Sequence, residues 1–114
     1  GIPMYNFSIP SQLKAWFDHI ARAGVTFQYT ENGPQGMLED RPVVLFSTRG
    51  GIYHANGNDH QTPFLKQLLG LIGLQDLHFV YAEGLNMSGP QKDDALAQAQ
   101  QQITQLVENT RQAA

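Results

Sequence analysis

The chain has 114 residues, 41% hydrophobic and 15% charged, the size and balance of a single globular domain. A formal net charge of −3 with only 7 scattered Lys and Arg argues against nucleic acid or an anionic membrane as the main partner. No cysteine is present, which excludes disulfides, thiolate nucleophiles and thiolate metal sites and fits a reducing cytoplasm. No apolar run approaches the roughly 18 residues of a membrane span, and no signal peptide is read at the start. Gly1-Ile2-Pro3 leads directly into a turn without an initiator methionine, so the chain reads as a piece of a longer protein.

Taken in order, Pro3-Met4-Tyr5-Asn6-Phe7 reads as a turn before a helix over 8–23. Leu13, Trp16, Phe17 and Ile20 fall on one stripe at the helical period, with Pro10 and Ser11 in the first turn and Gly24 as the stop. Val25–Thr30 has strand composition, and Glu31-Asn32-Gly33-Pro34 is turn chemistry. Pro42–Thr48 is a short run, apolar on both faces, as a buried parallel strand reads. A polar loop follows Arg49-Gly50-Gly51. Thr62 as N-cap and Pro63 start a second helix carrying Leu65, Leu68, Leu69 and Ile72, closed at Gly73. Leu77–Glu83 is a second buried strand. A last helix from about Pro90 to Gln112 turns Leu96, Ala99, Ile103, Leu106 and Val107 to the core and Gln98, Gln100, Gln101 and Gln102 to solvent. This alternation predicts an α/β fold, an open parallel sheet with helices on both faces.

Ligands of such sheets bind beyond the C-terminal ends of the strands, where two segments of this chain are expected to meet. Thr48-Arg49-Gly50-Gly51 could bring backbone N–H groups and a positive charge to a flat ligand or an oxyanion, or be a plain turn with a surface arginine. Met4-Tyr5-Asn6-Phe7 could cover a tricyclic ring with aromatics and bond its edge with an amide, or be a hydrophobic staple entering the helix. His54, Asp59 and His60 share a loop without a recognised metal-ligand spacing, and solvated or hydrogen-bonded histidine is the expectation for these and for His19 and His78. Ser47 lies in a strand with no nucleophile elbow, which argues against hydrolase chemistry.

Pro3-Met4-Tyr5-Asn6-Phe7-Ser8-Ile9-Pro10 with Leu13-Lys14 and Asp18 resembles flavodoxin-like quinone reductases. Ala21–Phe27, Tyr29–Pro34 and Thr48-Arg49-Gly50-Gly51-Ile52 narrow the likeness to the bacterial FMN-dependent NADH-azoreductases, which also act as NAD(P)H:quinone oxidoreductases. The resemblance implies a flavodoxin-like fold in which residues 1–114 form the C-terminal part of one domain. It implies FMN as cofactor and NADH or NADPH as electron donor. It also implies an azo or quinone acceptor reduced by two-electron ping-pong transfer, and a cytoplasmic homodimer. Met4, Tyr5, Asn6 and Phe7 would lie along the flavin ring, and Thr48, Arg49, Gly50 and Gly51 would close on it. Tyr29, offered across the dimer interface, Tyr53 and Leu71 would border the substrate. Some relatives carry Ser, His and Phe at the positions of Thr48, Tyr53 and Leu71.

The flavin carries the chemistry, so no residue is assigned as a catalytic acid or base and no metal is expected. In the flavodoxin-like order 2-1-3-4-5 the two strands read here are the fourth and fifth. The phosphate-binding first strand and its serine loop, the second strand and most of the third have no counterpart, so the 114 residues alone are expected to bind FMN poorly. A flavin or nitro reductase of the same fold and a flavodoxin-type electron carrier are the alternatives.

Overall fold

In the computed structural model, which describes residues 1–113, β1 is Ile2–Pro3, α1 Ser11–Ile20, β2 Phe27–Thr30, β3 Gly33–Gly36 and β4 Val43–Thr48. Then come α2 Thr62–Leu71, β5 Leu77–Ala82 and α3 Gln91–Ala113. The two runs read as buried strands, β4 and β5, pair in parallel from Val43↔Leu77 to Thr48↔Ala82. Ile2 and Pro3, expected at the head of a turn, form a third parallel strand against Ser47 and Thr48, giving the order β1-β4-β5. Proline at a strand edge loses no ladder bond if its nitrogen faces away from the partner.

Side chains alternate across the strands and divide the core in two. Leu45, Leu65, Leu69, Ile72, Phe17, Ile2, Ile9 and Phe27 pack on the α1/α2 face, and Val80, Ala82 and Ala99 on the α3 face. Phe17 of α1 meets Phe64 of α2 edge-on, with ring centroids 6.4 Å apart. Leu65 is fully buried, worth about 1.5–3 kcal/mol of transfer free energy. The α3 face is thinner than the periodicity suggested. Leu96, Ile103 and Val107 are exposed, as are Val44 and Phe46 of β4, so β4 is buried on one face only. The glutamines 98, 100, 101 and 102 face solvent as expected.

α1 is shorter than its sequence pattern. Pro10 is extended at the N-cap, and the Thr26 hydroxyl ends the helix by donating to Ile20 O at 2.7 Å while accepting from Arg22 N–H at 3.0 Å. Trp16 falls on the stripe but stays exposed. The segment after Gly24 is an antiparallel hairpin, β2 with β3, turning at Glu31-Asn32, so Gly33 and Pro34 lie in a strand rather than in the turn. α2 begins at Thr62, but its cap is Asp59, whose Oδ1 accepts from Gln61 N–H and Thr62 N–H, both at 2.9 Å.

Candidate functional site

Both segments expected to face a ligand stand at the C-terminal edge of the sheet. Met4 N–H extends the β1–β4 pairing by donating to Thr48 O at 3.2 Å, so the first segment begins where the second does. Tyr5 to Ser8 then closes a two-residue turn with reciprocal backbone bonds of 2.9 and 3.0 Å. Its central residues, Asn6 at φ 49° and Phe7 at φ 72°, are both left-handed although neither is glycine. Such residues cost on the order of 1–3 kcal/mol each and persist only where their surroundings hold them. The turn leaves Tyr5 and Phe7 more than half exposed, at 56% and 52%, which a staple buried against α1 would not do. Phe7 meets Tyr53 edge-on at 5.8 Å, and Ile52 beside it is also exposed.

Arg49 is not a surface arginine. Its side chain is fully buried, with Nη1 2.9 Å from Asp59 and 3.3 Å from Glu83, and Nη2 donating to Gln61 Oε1 at 3.1 Å. The guanidinium lies 5.0 Å from the Tyr81 ring centre. Its charge is matched by two carboxylates, so the Arg49 side chain holds the loop rather than offering a free charge to a ligand. The loop backbone is anchored in turn: Arg49 N–H donates to Ala82 O, and Arg49 O and Gly50 O accept from Leu85 and Asn86. Among the described residues no hydrogen bond uses the N–H of Gly50 or Gly51. A Cβ would meet Asn86 Nδ2 at 2.7 Å from Gly50 and the Tyr53 hydroxyl at 2.8 Å from Gly51. The glycines therefore admit neighbouring side chains as well as leaving N–H groups open. Burial works against ionisation of Asp59, but the Thr62 N–H, the Thr62 hydroxyl, Arg49 and His54 together hold its carboxyl well below the usual carboxylate range. Burial likewise pushes the Tyr81 hydroxyl up, although its bond to Thr62 at 2.9 Å opposes this.

Sequence reading missed Asp59, Gln61, Thr62, Tyr81 and Glu83 as members of this edge. Glu83 Oε2 accepts from Tyr53 N–H at 2.8 Å and His54 N–H at 3.0 Å, which fixes the loop after Gly51. The signal available was a cluster of polar residues at strand and helix ends in an otherwise apolar setting. His54 stacks on Tyr81 at 4.2 Å with Nδ1 3.2 Å from Asp59, and His78 lies 2.8 Å from Asp76, as hydrogen-bonded histidines.

Not every singled-out residue is at this edge. Tyr29 stands on the hairpin, 74% exposed, against the edge of Phe27. Leu71 ends α2, about 15 Å of helix away from Thr62, and borders an apolar hollow with Pro34, Phe64, Gln67 and Leu68. Neither Tyr29 nor Leu71 is brought to Phe7 and Tyr53. A cleft of about 380 Å³ between Ile52 and the first half of α3 is polar, bordered by Glu83 and Asp94.

The flavin ring that the resemblance implies fits what is present: two half-exposed aromatics, an exposed carboxamide at Asn6 and open N–H groups, all at one strand edge. The flavodoxin-like fold family matches residues 1–107. An FMN-dependent NADH:quinone oxidoreductase of Alcanivorax borkumensis is 57% identical over 103 residues, covering 90% of this chain and 52% of the relative. One of Cellvibrio japonicus is 58% identical over 107 residues, covering 94% and 53%. The crystal structure of an FMN-dependent NADH-azoreductase from Bacillus anthracis in complex with FMN superposes with a TM-score of 0.83 at 31% identity, over 95% of this chain and 52% of that one. This chain thus spans about half the length of the curated relatives it matches. With its parallel sheet, its crossover helices and two loops meeting at one strand edge, the chain belongs to the flavodoxin-like fold family.

Proposed function

We propose that this chain is the C-terminal part of a single flavodoxin-like domain in a cytoplasmic FMN-dependent oxidoreductase that uses NADH to reduce quinones and azo compounds. The observation that carries the reading is the junction of the two loops, Met4 N–H to Thr48 O, which puts exposed aromatics and open glycine N–H groups on one shelf. The named activities of relatives at 55–58% identity support it. Among the described residues no helix is long and apolar enough to cross a membrane.

A flavin held here would supply two-electron hydride chemistry between donor and acceptor. The chain's own residues bind and orient. Tyr5 and Phe7, with Met4 between the strand and the turn, would cover an apolar ring face. The Asn6 carboxamide and the N–H groups of Gly50 and Gly51 would bond its polar edge, with Thr48 and the backbone of Arg49 setting their height. No side chain at this edge is assigned a proton to move. One shelf would serve donor and acceptor in turn, a ping-pong order, with Tyr53 bordering the acceptor. Tyr29 would reach the substrate across a homodimer interface, and Leu71 would border it.

Steady-state assays of the full-length protein with NADH and a quinone, an azo dye or free flavin test this reading. Parallel double-reciprocal lines with quinone and azo dye are expected. Turnover with free flavin alone would favour a flavin reductase, and a stable one-electron form on titration would favour an electron carrier.

A further inference from the structure

We propose that Gln61 is a positioning residue that locks the two ring loops to one another, an inference that rests on the flavin reading above. Gln61 is fully buried at the start of α2 and touches no part of the exposed shelf. Its Nε2 donates to Pro3 O at 2.9 Å and Ser8 O at 3.2 Å, the two stems of the Tyr5–Ser8 turn. Its Oε1 accepts from Ser47 Oγ at 3.2 Å and Arg49 Nη2 at 3.1 Å, on the strand that carries the second loop. A carboxamide offers two donors and an acceptor oxygen, and here each has its partner. No other side chain has this combination at this length. A carboxylate would keep the Ser47 and Arg49 bonds but could not donate to both carbonyls, and an apolar residue would lose all four bonds, leaving Ser8 O only its bond from Tyr5 N–H and Arg49 only Asp59, Glu83 and Thr62.

The grip is reinforced from the backbone. Gln61 N–H is held by Asp59 Oδ1 at 2.9 Å, and the adjacent His60 N–H donates to Phe7 O at 3.1 Å. Phe7 is one of the two left-handed residues, so a strained turn is held at its own carbonyl and at both stems from a single helix start. Arg49, pinned by Asp59 and Glu83, orients the carboxamide so that its NH₂ faces the turn. The β1–β4 pairing sets where Met4–Phe7 and Thr48–Gly51 begin, and one buried amide then braces the turn beyond it against the second loop.

Gln61→Glu in the full-length protein tests this. FMN titration by fluorescence quenching at pH 8 is expected to show binding weakened about tenfold, and the melting temperature of the flavin-free protein is expected to fall by several degrees, since two carbonyls lose the same buried donor. Hydrogen exchange of the flavin-free variant is expected to rise at the bonded N–H groups of Met4, Tyr5, Ser8 and Arg49 and to stay constant in 65–71. FMN binding equal to wild type in a folded variant, or exchange unchanged in 4–8, would overturn the proposal. If Gln61→Glu does not fold, Ser47→Ala, which removes one partner of Oε1, carries the test with about threefold weaker binding expected and unchanged binding overturning it. A wild-type protein that binds no FMN would sink the flavin reading, while the exchange pattern of the flavin-free protein would still decide the lock.

Discussion

At the C-terminal ends of the strands a buried side-chain network of Arg49, Asp59, Gln61 and Glu83 is added to the backbone bonds, whereas at the opposite ends close backbone approach and the single carboxylate of Asp40 join the chain. There the hairpin approaches α2 so closely that a Cβ on Gly36 would overlap Gly73 N and Cα. Leu38 N–H donates to Ile72 O at 3.1 Å, and Asp40 Oδ1 accepts from Gln75 and Asp76 N–H at 2.9 and 3.2 Å. Backbone contacts fix how close two segments lie but leave the surface above them to apolar side chains such as Leu71 and Phe64. Side-chain networks instead fix direction, because donors and acceptors must alternate. A strained turn needs direction, so it stands at the end that has the network.

The largest expected loss comes from Arg49→Met. It leaves Asp59 and Glu83 facing each other without their cation and should cost about 3–5 kcal/mol in urea unfolding of the full-length protein. A loss below about 1 kcal/mol would show that the network is not what holds this end. Gly36→Ala should cost about 1–3 kcal/mol by overpacking against backbone that cannot rotate away. It should speed proteolytic cutting near residues 37–41 while leaving hydrogen exchange of the Tyr5–Ser8 turn unchanged. A change at the turn would mean that the two ends are coupled.

The smallest effects concern acid. Asp59 and Asp40 are both held below the usual carboxylate range, Asp59 despite burial and Asp40 by the N–H groups of Gln75, then Asp76. A depressed carboxyl stabilises the fold above its unfolded pKa of about 3.9, and that stability is lost as pH falls through the folded value. Melting temperatures between pH 2.5 and 7 should therefore drop less steeply in Asp59→Asn than in wild type. Asp40→Asn, at an exposed site, should flatten the acid limb less. Equal flattening would remove the distinction drawn between the two ends.

Most of the order of elements was legible. Leu65, Leu69 and Ile72 announce α2 by period, and the Val43–Phe46 run announces β4 by its apolar composition. Periodicity reports which residues could share a face, not whether anything covers it, so Trp16, Leu96 and Val107 read as core and stand exposed. β1 and β3 escaped because a two-residue strand and a Gly-Pro strand carry no alternating pattern. At the site, Tyr5, Phe7, Gly50 and Gly51 were readable as residue types suited to a flat ligand. Arg49 was read either as a charge for that ligand or as a surface arginine, and its burial with Asp59 and Glu83 could not be seen locally, since Glu83 lies 34 residues away.

By itself, then, the sequence determined the α/β alternation, the two segments suited to a ring and the likeness to flavin-dependent reductases, because period, turn chemistry and short motifs are local properties. Only the tertiary structure decided that Arg49 is internal, that Asp59 rather than Thr62 caps α2, and that Gln61 ties the two loops together. Those outcomes depend on which distant donors and acceptors are buried side by side, and burial is a property of the whole packing rather than of any stretch of chain.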